Sequence, residues 1–462
     1  MAKTTFFRIV LRGVYGLAWA AARPFLRRHK RLQEGFSWRL VPEDWSGPVT
    51  RTGEGDTEQI HYAETDIWLQ AASGGEAYLI WEIIERLAAR KETEGRPGPL
   101  RVLATTWTRQ GLEILQGMAI KIHEAHPWLT VRATFFPLDA PGVMGRALDQ
   151  ARPRVVGLLE TELWPGLLMA CEKRHIPVVV LNGRMTEKSL RNYLRLDAVE
   201  PDIWKDMAPA RVCAVSQADA ARFARLFGED RVETAPNIKF DRAASSPEAV
   251  EAPEALRALL PADHAGRTVL LASVREQEEE AALAIIRALR AADAPALIVA
   301  PRHMHRVKPW RKRLEEAGIP AVLRSRQEGP APADAVILWD AFGELGQLYR
   351  LAEAVFVGGS LAPLGGQNFL EALALGKIPC CGPHLDNFAW ALEASAPDAA
   401  DSLEALGLLR RGPDADAVAA LLRRQLASPE DAEAVCGRFR AWLAPRLGGT
   451  DQCVRALLKH ME

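Results

Sequence analysis

Val155-Val156-Gly157-Leu158-Leu159 is an uncharged run of five residues that stops at Glu160-Thr161-Glu162-Leu163-Trp164-Pro165. A strand buried on both faces reads as such a run, because crossover helices cover both sides of a parallel sheet. Pro165 suits the first position of a following helix, where a missing N–H costs nothing. The stretch therefore predicts strand, loop and helix, with two carboxylates at the carboxyl end of the strand. In open α/β sheets that end is where ligands bind. Solvated turn acids are the plain alternative, but acids beside a buried strand are costly unless something uses them.

The same alternation extends in both directions. Strands are expected at Ile67–Ala71, Val102–Thr105, Val131–Phe135, Val155–Leu159, Val178–Leu181 and Val212–Val215, with helical patterns such as Tyr78–Arg90 and Gly166–Arg174 between them. After a segment of Ala, Ser, Pro and Glu the pattern restarts at Val269–Ala272, Leu297–Ala300, Val336–Leu338, Val355–Val357 and Ile378–Cys381. Strand–helix alternation implies parallel sheets covered on both faces. The expectation is an α/β protein of two doubly wound, Rossmann-like domains facing a cleft. The boundaries are a first domain over 32–242, a linker over 243–253 and a second domain over 254–462, which ends in a helical tail, Ala415–Glu462, packing across the domains.

At 462 residues the chain is too long for one ordinary core. A net charge of -1 argues against a nucleic-acid partner, whose footprint is a basic domain. The six cysteines show no metal-ligand spacing and lie mostly in apolar runs, which predicts buried thiols in a reducing compartment.

Residues 1–31 differ from the rest. Phe6, Phe7, Ile9, Val10, Leu11, Val14, Tyr15, Leu17 and Trp19 are apolar, but Arg8 and Arg12 interrupt them and Arg23, Arg27, Arg28, His29, Lys30 and Arg31 follow. The uncharged run Gly13–Ala22 falls short of the ~20 residues of a spanning helix. An apolar helix with a basic cluster reads as an anchor on an anionic membrane face, which the fold itself would not need. A signal peptide and a helix packed on the protein are the rival readings.

Ser73-Gly74-Gly75-Glu76 follows a strand and opens a helix, so Glu76 sits where the helix dipole favours an anion. In the second half, Gly358-Gly359-Ser360 ends a strand and Gly365-Gly366-Gln367-Asn368 precedes a helix containing Glu371. Such loops can set backbone amides against a phosphate. Pro301-Arg302-His303 and Phe342-Gly343-Glu344-Leu345 also follow strands, and Arg302 offers a planar fork for phosphate. His303 and His305, two apart, would point to opposite sides of a strand and make a poor metal pair.

Taken in order, these residues resemble the 3-deoxy-D-manno-oct-2-ulosonic acid (Kdo) transferase family. The resemblance runs through Ser73–Glu76, Thr105–Thr108, Phe136–Asp139, Glu160–Pro165, Asn182–Arg184, Asn237–Asp241, Pro301–His303, Phe342–Leu345, Gly358–Ser360, Gly365–Asn368 and Gly382–His384. It implies a GT-B glycosyltransferase moving Kdo from CMP-Kdo to a lipid A precursor on the cytoplasmic face of the inner membrane, with no cofactor beyond the donor. By position, Glu76 corresponds to the general base. Glu160 or Glu162, with Lys239, corresponds to the groups that stabilise the transition state. Pro301, Arg302, Phe342, Gly343, Glu344, Asn368, Phe369, Leu370 and Glu371 correspond to the CMP contacts. Gln367 and Ser273-Val274-Arg275 stand where the family carries histidine-containing loops, which removes an imidazolium from the site. A 2-epimerase of the same fold and a catalytically silent lipid-binding relative are the alternatives.

Overall fold

The computed structural model describes residues 2–28, 30–47, 49–52, 59–62, 64–94, 99–197, 202–244, 254–262, 267–292, 295–341, 343–392 and 400–461. They form two compact units, one of residues 1–242 with 446–462 and one of residues 243–445.

In the first unit a hairpin, β1 (Val49–Thr52) against β2 (Gln59–Tyr62), precedes a seven-stranded sheet. Its strands are β3 (Ile67–Ala71), β4 (Leu100–Thr106), β5 (Leu129–Phe135), β6 (Val155–Leu159), β7 (Val178–Gly183), β8 (Arg211–Ala214) and β9 (Val232–Thr234). They pair in parallel in the order β5-β4-β3-β6-β7-β8-β9. Strand order reverses between β3 and β6. The loops leaving those two strands therefore diverge to opposite faces and open a crevice at their carboxyl ends. β3 and β6 are buried along their whole length, as their uncharged runs predict.

The second unit holds β10 (Thr268–Val274), β11 (Ala296–Pro301), β12 (Ala321–Leu323), β13 (Val336–Leu338), β14 (Ala354–Val357), β15 (Pro379–Cys381) and β16 (Arg410–Arg411). These are parallel in the order β12-β13-β11-β10-β14-β15-β16, which puts the reversal between β10 and β14. All six cysteines are free and buried.

The carboxyl-terminal tail does not behave as one element. Helix Ala415–Ala427 packs on β14 and β15, and helix Ala432–Leu443 packs on helix Leu370–Ala374, both in the second unit. The last helix, Gly449–Met461, belongs to the first unit, where it covers β6, β7, β8 and helix Gly74–Glu94. Gly157 is the cause in β6. A side chain there would come within 2.7 Å of Leu69, 2.9 Å of Leu181 and 3.2 Å of Leu457, so its absence makes the socket that Leu457 fills. Asp241 then fastens the helix start by accepting from the Gly448 and Thr450 amides at 2.7 and 2.6 Å. Of the expected linker, only Ala243 and Ala244 lie among the described residues, and they end helix Ile238–Ala244.

The amino-terminal helix, Ala2–Leu26, departs from the expectation of a segment apart from the fold. Tyr15, Trp19, Ala22 and Leu26 recur at helical spacing and are the half-buried stripe, with Tyr15 packed against the core of the first unit. The Tyr15 hydroxyl donates to Asp139 Oδ2 at 2.8 Å. Val14, Leu17 and Phe25 on the other face are 58%, 72% and 77% exposed. Among the described residues no helix is long and apolar enough to cross a membrane.

Asp139 also accepts from the Gly166 and Leu167 amides, each at 2.7 Å, at the start of helix Pro165–Arg174. A Cβ on Gly166 would lie 2.2 Å from the Asp139 carbonyl oxygen. Backbone cannot yield as a flexible side chain can, so Gly166→Ala should cost about 1–3 kcal/mol. A urea midpoint within error of wild type would show that the Asp139 contact is not this tight.

Candidate active site

Glu76 lies in the first turn of helix Gly74–Glu94, directly after β3. Its Oε2 accepts from the Ala72 amide at 2.7 Å and its Oε1 from the Ser73 hydroxyl at 3.0 Å, while Ser73 Oγ accepts from the Glu76 amide at 3.4 Å. This reciprocal cap satisfies orphan helix donors and holds the carboxylate in one orientation. Burial, with the Glu160 and then the Glu162 charge, pushes its pKa up to about 7, against the downward pull of the Ala72 and Ser73 bonds.

Glu160 and Glu162 leave β6 on the other side of the strand-order reversal, and the structure separates them. Glu160 has φ 55°, a left-handed backbone that is costly for a side chain of this kind. Its amide still donates to the Leu181 carbonyl at 2.9 Å, and Oε1 accepts from Lys239 Nζ at 2.6 Å. Lys239 is placed by two asparagines. Asn182 Oδ1 accepts from the Ile238 amide at 2.9 Å, and Asn237 Oδ1 accepts from the Lys239 amide at 3.0 Å.

Glu162 is held by neutral donors instead, Trp164 Nε1 at 2.8 Å and Gln70 Nε2 at 3.3 Å. Burial raises its pKa, opposed by those two bonds. Behind Gln70 a buried chain continues, with Thr105 Oγ1 donating to Gln70 Oε1 at 2.6 Å and accepting from Trp68 Nε1 at 2.8 Å. Trp107, Phe136 and Trp164 wall this side, with the two indoles 4.9 Å apart between centroids. The structure thus brings Glu76, Glu160, Glu162 and Lys239 together. Gln70 was missed at the sequence level because it interrupts a buried strand with no motif around it. Thr105 and the two asparagines stood in the quoted motifs without a role.

The second set of candidates gathers at the carboxyl ends of β10, β11, β13 and β14, all within the second unit. Pro301 closes β11, and the exposed Arg302 follows, its amide donating to the Val274 carbonyl at 2.9 Å. The loop is braced by Arg306, which forks onto buried Glu279 at 2.9 and 2.7 Å. His303 and His305 do not diverge as strand alternation predicts. The strand ends at Pro301, a 3-10 turn follows, and the two rings stack at 5.5 Å. Burial, then Arg275 and Arg302, lower the His303 pKa, so the loop is a cationic surface.

Other expectations here are corrected. Five of the glycine-loop amides do not stand free for a phosphate. Gly359, Ser360 and Leu361 donate to buried Glu278 at 2.5, 3.2 and 3.3 Å, and Gly366 and Gln367 donate back to the Gly359 and Gly358 carbonyls. Phe369 and Leu370 are buried, so only their backbone could meet a nucleotide. Glu344 spends one oxygen on Arg324 and the other on Trp339 Nε1, both at 3.0 Å. Asn368 Nδ2 donates to Glu371 Oε1 at 2.7 Å, which orients two of the expected CMP contacts. Gly343 has φ 87°, and Phe342 lies outside the described residues. Among the described residues no group of three His, Cys, Asp or Glu side chains could hold a metal ion.

Two doubly wound units, each carrying its polar residues at strand carboxyl ends, make up the GT-B fold. A solved glycosyltransferase from Rickettsia africae ESF-5 has this fold, with a TM-score of 0.50 over 87% of this chain and 98% of that one at 11% identity. The family model described as 3-deoxy-D-manno-octulosonic-acid transferase (kdotransferase) matches residues 44–242. A 3-deoxy-D-manno-octulosonic acid transferase of Bordetella pertussis is 31% identical over 96% of this chain and 98% of its own length. One of Haemophilus influenzae is 30% identical over 70% and 71%. The chain belongs to the 3-deoxy-D-manno-octulosonic acid transferase family.

The raised Glu76 pKa has a stability consequence. The folded state holds its proton up to about 7 against 4.5 for the carboxyl of the unfolded chain, so its favourable contribution is complete below 4.5 and is lost as pH rises through about 7. Glu76→Gln removes that loss. Allowing for partial exposure, the variant should exceed wild type by about 1–2 kcal/mol more at pH 8 than at pH 5. Parallel urea titrations at the two pH values check this, and a pH-independent difference would contradict the assignment.

Proposed function

We propose that the protein transfers Kdo from CMP-Kdo to a hydroxyl of a lipid A precursor such as lipid IVA, in lipopolysaccharide core biosynthesis at the cytoplasmic face of the inner membrane. The observation that carries this reading is Glu76, a rigidly held carboxyl poised near neutrality at the strand-order reversal of the first unit. A general base works best with a pKa near the operating pH. The acceptor hydroxyl attacks the anomeric carbon and its proton passes to Glu76. The bond from that carbon to the phosphate oxygen breaks, and its electron pair leaves with CMP.

Positive charge develops on the anomeric carbon in such transfers, and a nearby carboxylate stabilises it. Glu160 and Glu162 are both candidates. Glu162, caged by Gln70 and Trp164, suits electrostatic stabilisation. Glu160 holds Lys239, whose ammonium can meet substrate negative charge. The second unit binds the nucleotide through Pro301, Arg302, Gly343, Glu344 and the segment Asn368–Glu371. With Glu278 occupying the glycine-loop amides, the phosphate falls chiefly to Arg302, supported by Arg275. The donor is already activated as a CMP ester, so the reading calls for no cofactor.

The alternatives are less supported. The full-length relative is a Kdo transferase, whereas a 2-epimerase has no use for an exposed apolar helix face. A silent lipid-binding protein would not need Glu76 and Arg302. The deciding experiment measures CMP release and product mass with purified protein, CMP-Kdo and lipid IVA.

Glu76→Gln should reduce transfer by about 10²–10⁴-fold while CMP binding stays near wild type. More than a tenth of normal turnover would remove Glu76 from this role. Arg302→Ala should weaken CMP binding by about 1.5–3 kcal/mol, the worth of a charged hydrogen bond, and calorimetric titration reads it directly. Leu17 and Phe25 supply apolar area on the amino-terminal helix, and Arg27 and Arg28 supply positive charge directly after it. Leu17→Ser with Arg27→Glu and Arg28→Glu should cut sedimentation with anionic vesicles, the charge part by about 1 kcal/mol per cation and less at high salt.

A further inference from the structure

We infer that Tyr15 is a positioning residue, through which the amino-terminal helix holds the acid-bearing loop Glu160–Trp164 by way of Asp139. This rests on the reading of that loop as part of the transfer site. The path is short and each step is a direct contact. The Tyr15 hydroxyl donates to Asp139 Oδ2 at 2.8 Å. The same oxygen accepts from the Gly166 amide, and Oδ1 accepts from the Leu167 amide. Those amides are the first free donors of helix Pro165–Arg174, immediately after the loop that carries Glu160 and Glu162.

Asp139 is fully buried, and among the described residues no cation bonds to it. Burial pushes its pKa up to about 7, while Tyr15 and the two amides pull it down. Tyr15 is therefore one of three donors that favour the charged form and hold the carboxyl group in place. Gly166 has no room for a side chain against Asp139, so the carboxylate and the helix start move together. The loop's other ties run to the Leu181 carbonyl, which accepts from the Glu160 amide at 2.9 Å, to Tyr193, which donates to the Thr161 carbonyl at 3.2 Å, to the Arg184 carbonyl, which accepts from Thr161, and to Gln70 and Lys239.

A helix that served only as an anchor would need none of this. Its exposed apolar residues Val14, Leu17 and Phe25 lie outside the stripe containing Tyr15, so attachment and positioning use different residues of one element. They can be separated by substitution.

The test uses full-length protein with Tyr15→Phe, which keeps the ring in its socket and removes only the hydroxyl. Hydrogen exchange at the Gly166 and Leu167 amides should accelerate about tenfold, the loss of one hydrogen bond's worth of protection. With CMP-Kdo and lipid IVA, kcat should fall about tenfold while KM for CMP-Kdo and sedimentation with anionic vesicles stay within twofold of wild type. Asp139→Asn should give the same kinetic split. Unchanged exchange overturns the inference, and so does a kcat loss that follows a loss of vesicle binding. If wild-type protein releases no CMP, the reading of the reaction fails on its own, and the exchange rates still decide whether Tyr15 holds the loop.

Discussion

Three carboxylates, Glu76, Glu160 and Glu162, share one partly buried crevice with one lysine bonded to Glu160, and the first unit is organised around that excess of negative charge. Each copes differently. Glu160 is neutralised by Lys239, Glu162 is solvated by an indole and an amide, and Glu76 is left to rise toward neutrality. Like charges near one another push apart the tendencies to ionise, and this is a common way for a site to obtain one base near neutral pH. The parallel sheet makes the arrangement possible, since only at the reversal between β3 and β6 do two diverging loops leave space between strand ends.

The second unit meets a different constraint. Its glycine loop has the shape of an anion nest, but the anion is the protein's own Glu278. A carboxylate on three amides is a rigid filler that fixes the Gly358–Ser360 turn. The cationic side chains at the neighbouring strand ends are the exposed Arg302 and the half-buried Arg275, whose charges both act on His303. Of the two loops where the resemblance led to an expectation of histidine, one carries the neutral Gln367 and the other carries Arg275.

The two ends of the chain both serve the first unit. The last helix fills the socket made by Gly157, and the first helix docks through its Tyr15 stripe while turning Val14, Leu17 and Phe25 outward. The packed-helix reading holds for one face of helix Ala2–Leu26, and Val14, Leu17 and Phe25 remain exposed on the rest of it.

How much the sequence determined follows from what is local. Buried strands write themselves as uncharged runs, so Ile67–Ala71, Val155–Leu159 and Val336–Leu338 coincide with β3, β6 and β13, and Pro165 opens its helix as read. The edge elements β9, β12 and β16, of two or three residues, were too short to carry a period. The glutamates could be named because a charged residue next to a buried run is a local anomaly. Their division of labour could not be. Lys239 lies 79 residues from Glu160, Gln70 lies 92 from Glu162, and Glu278 reaches its loop from 81 away. Nothing in a chain's local pattern records which distant donor will meet which acid. Tertiary structure alone decided that, because hydrogen bonds are chosen by proximity in space after the sheets have formed.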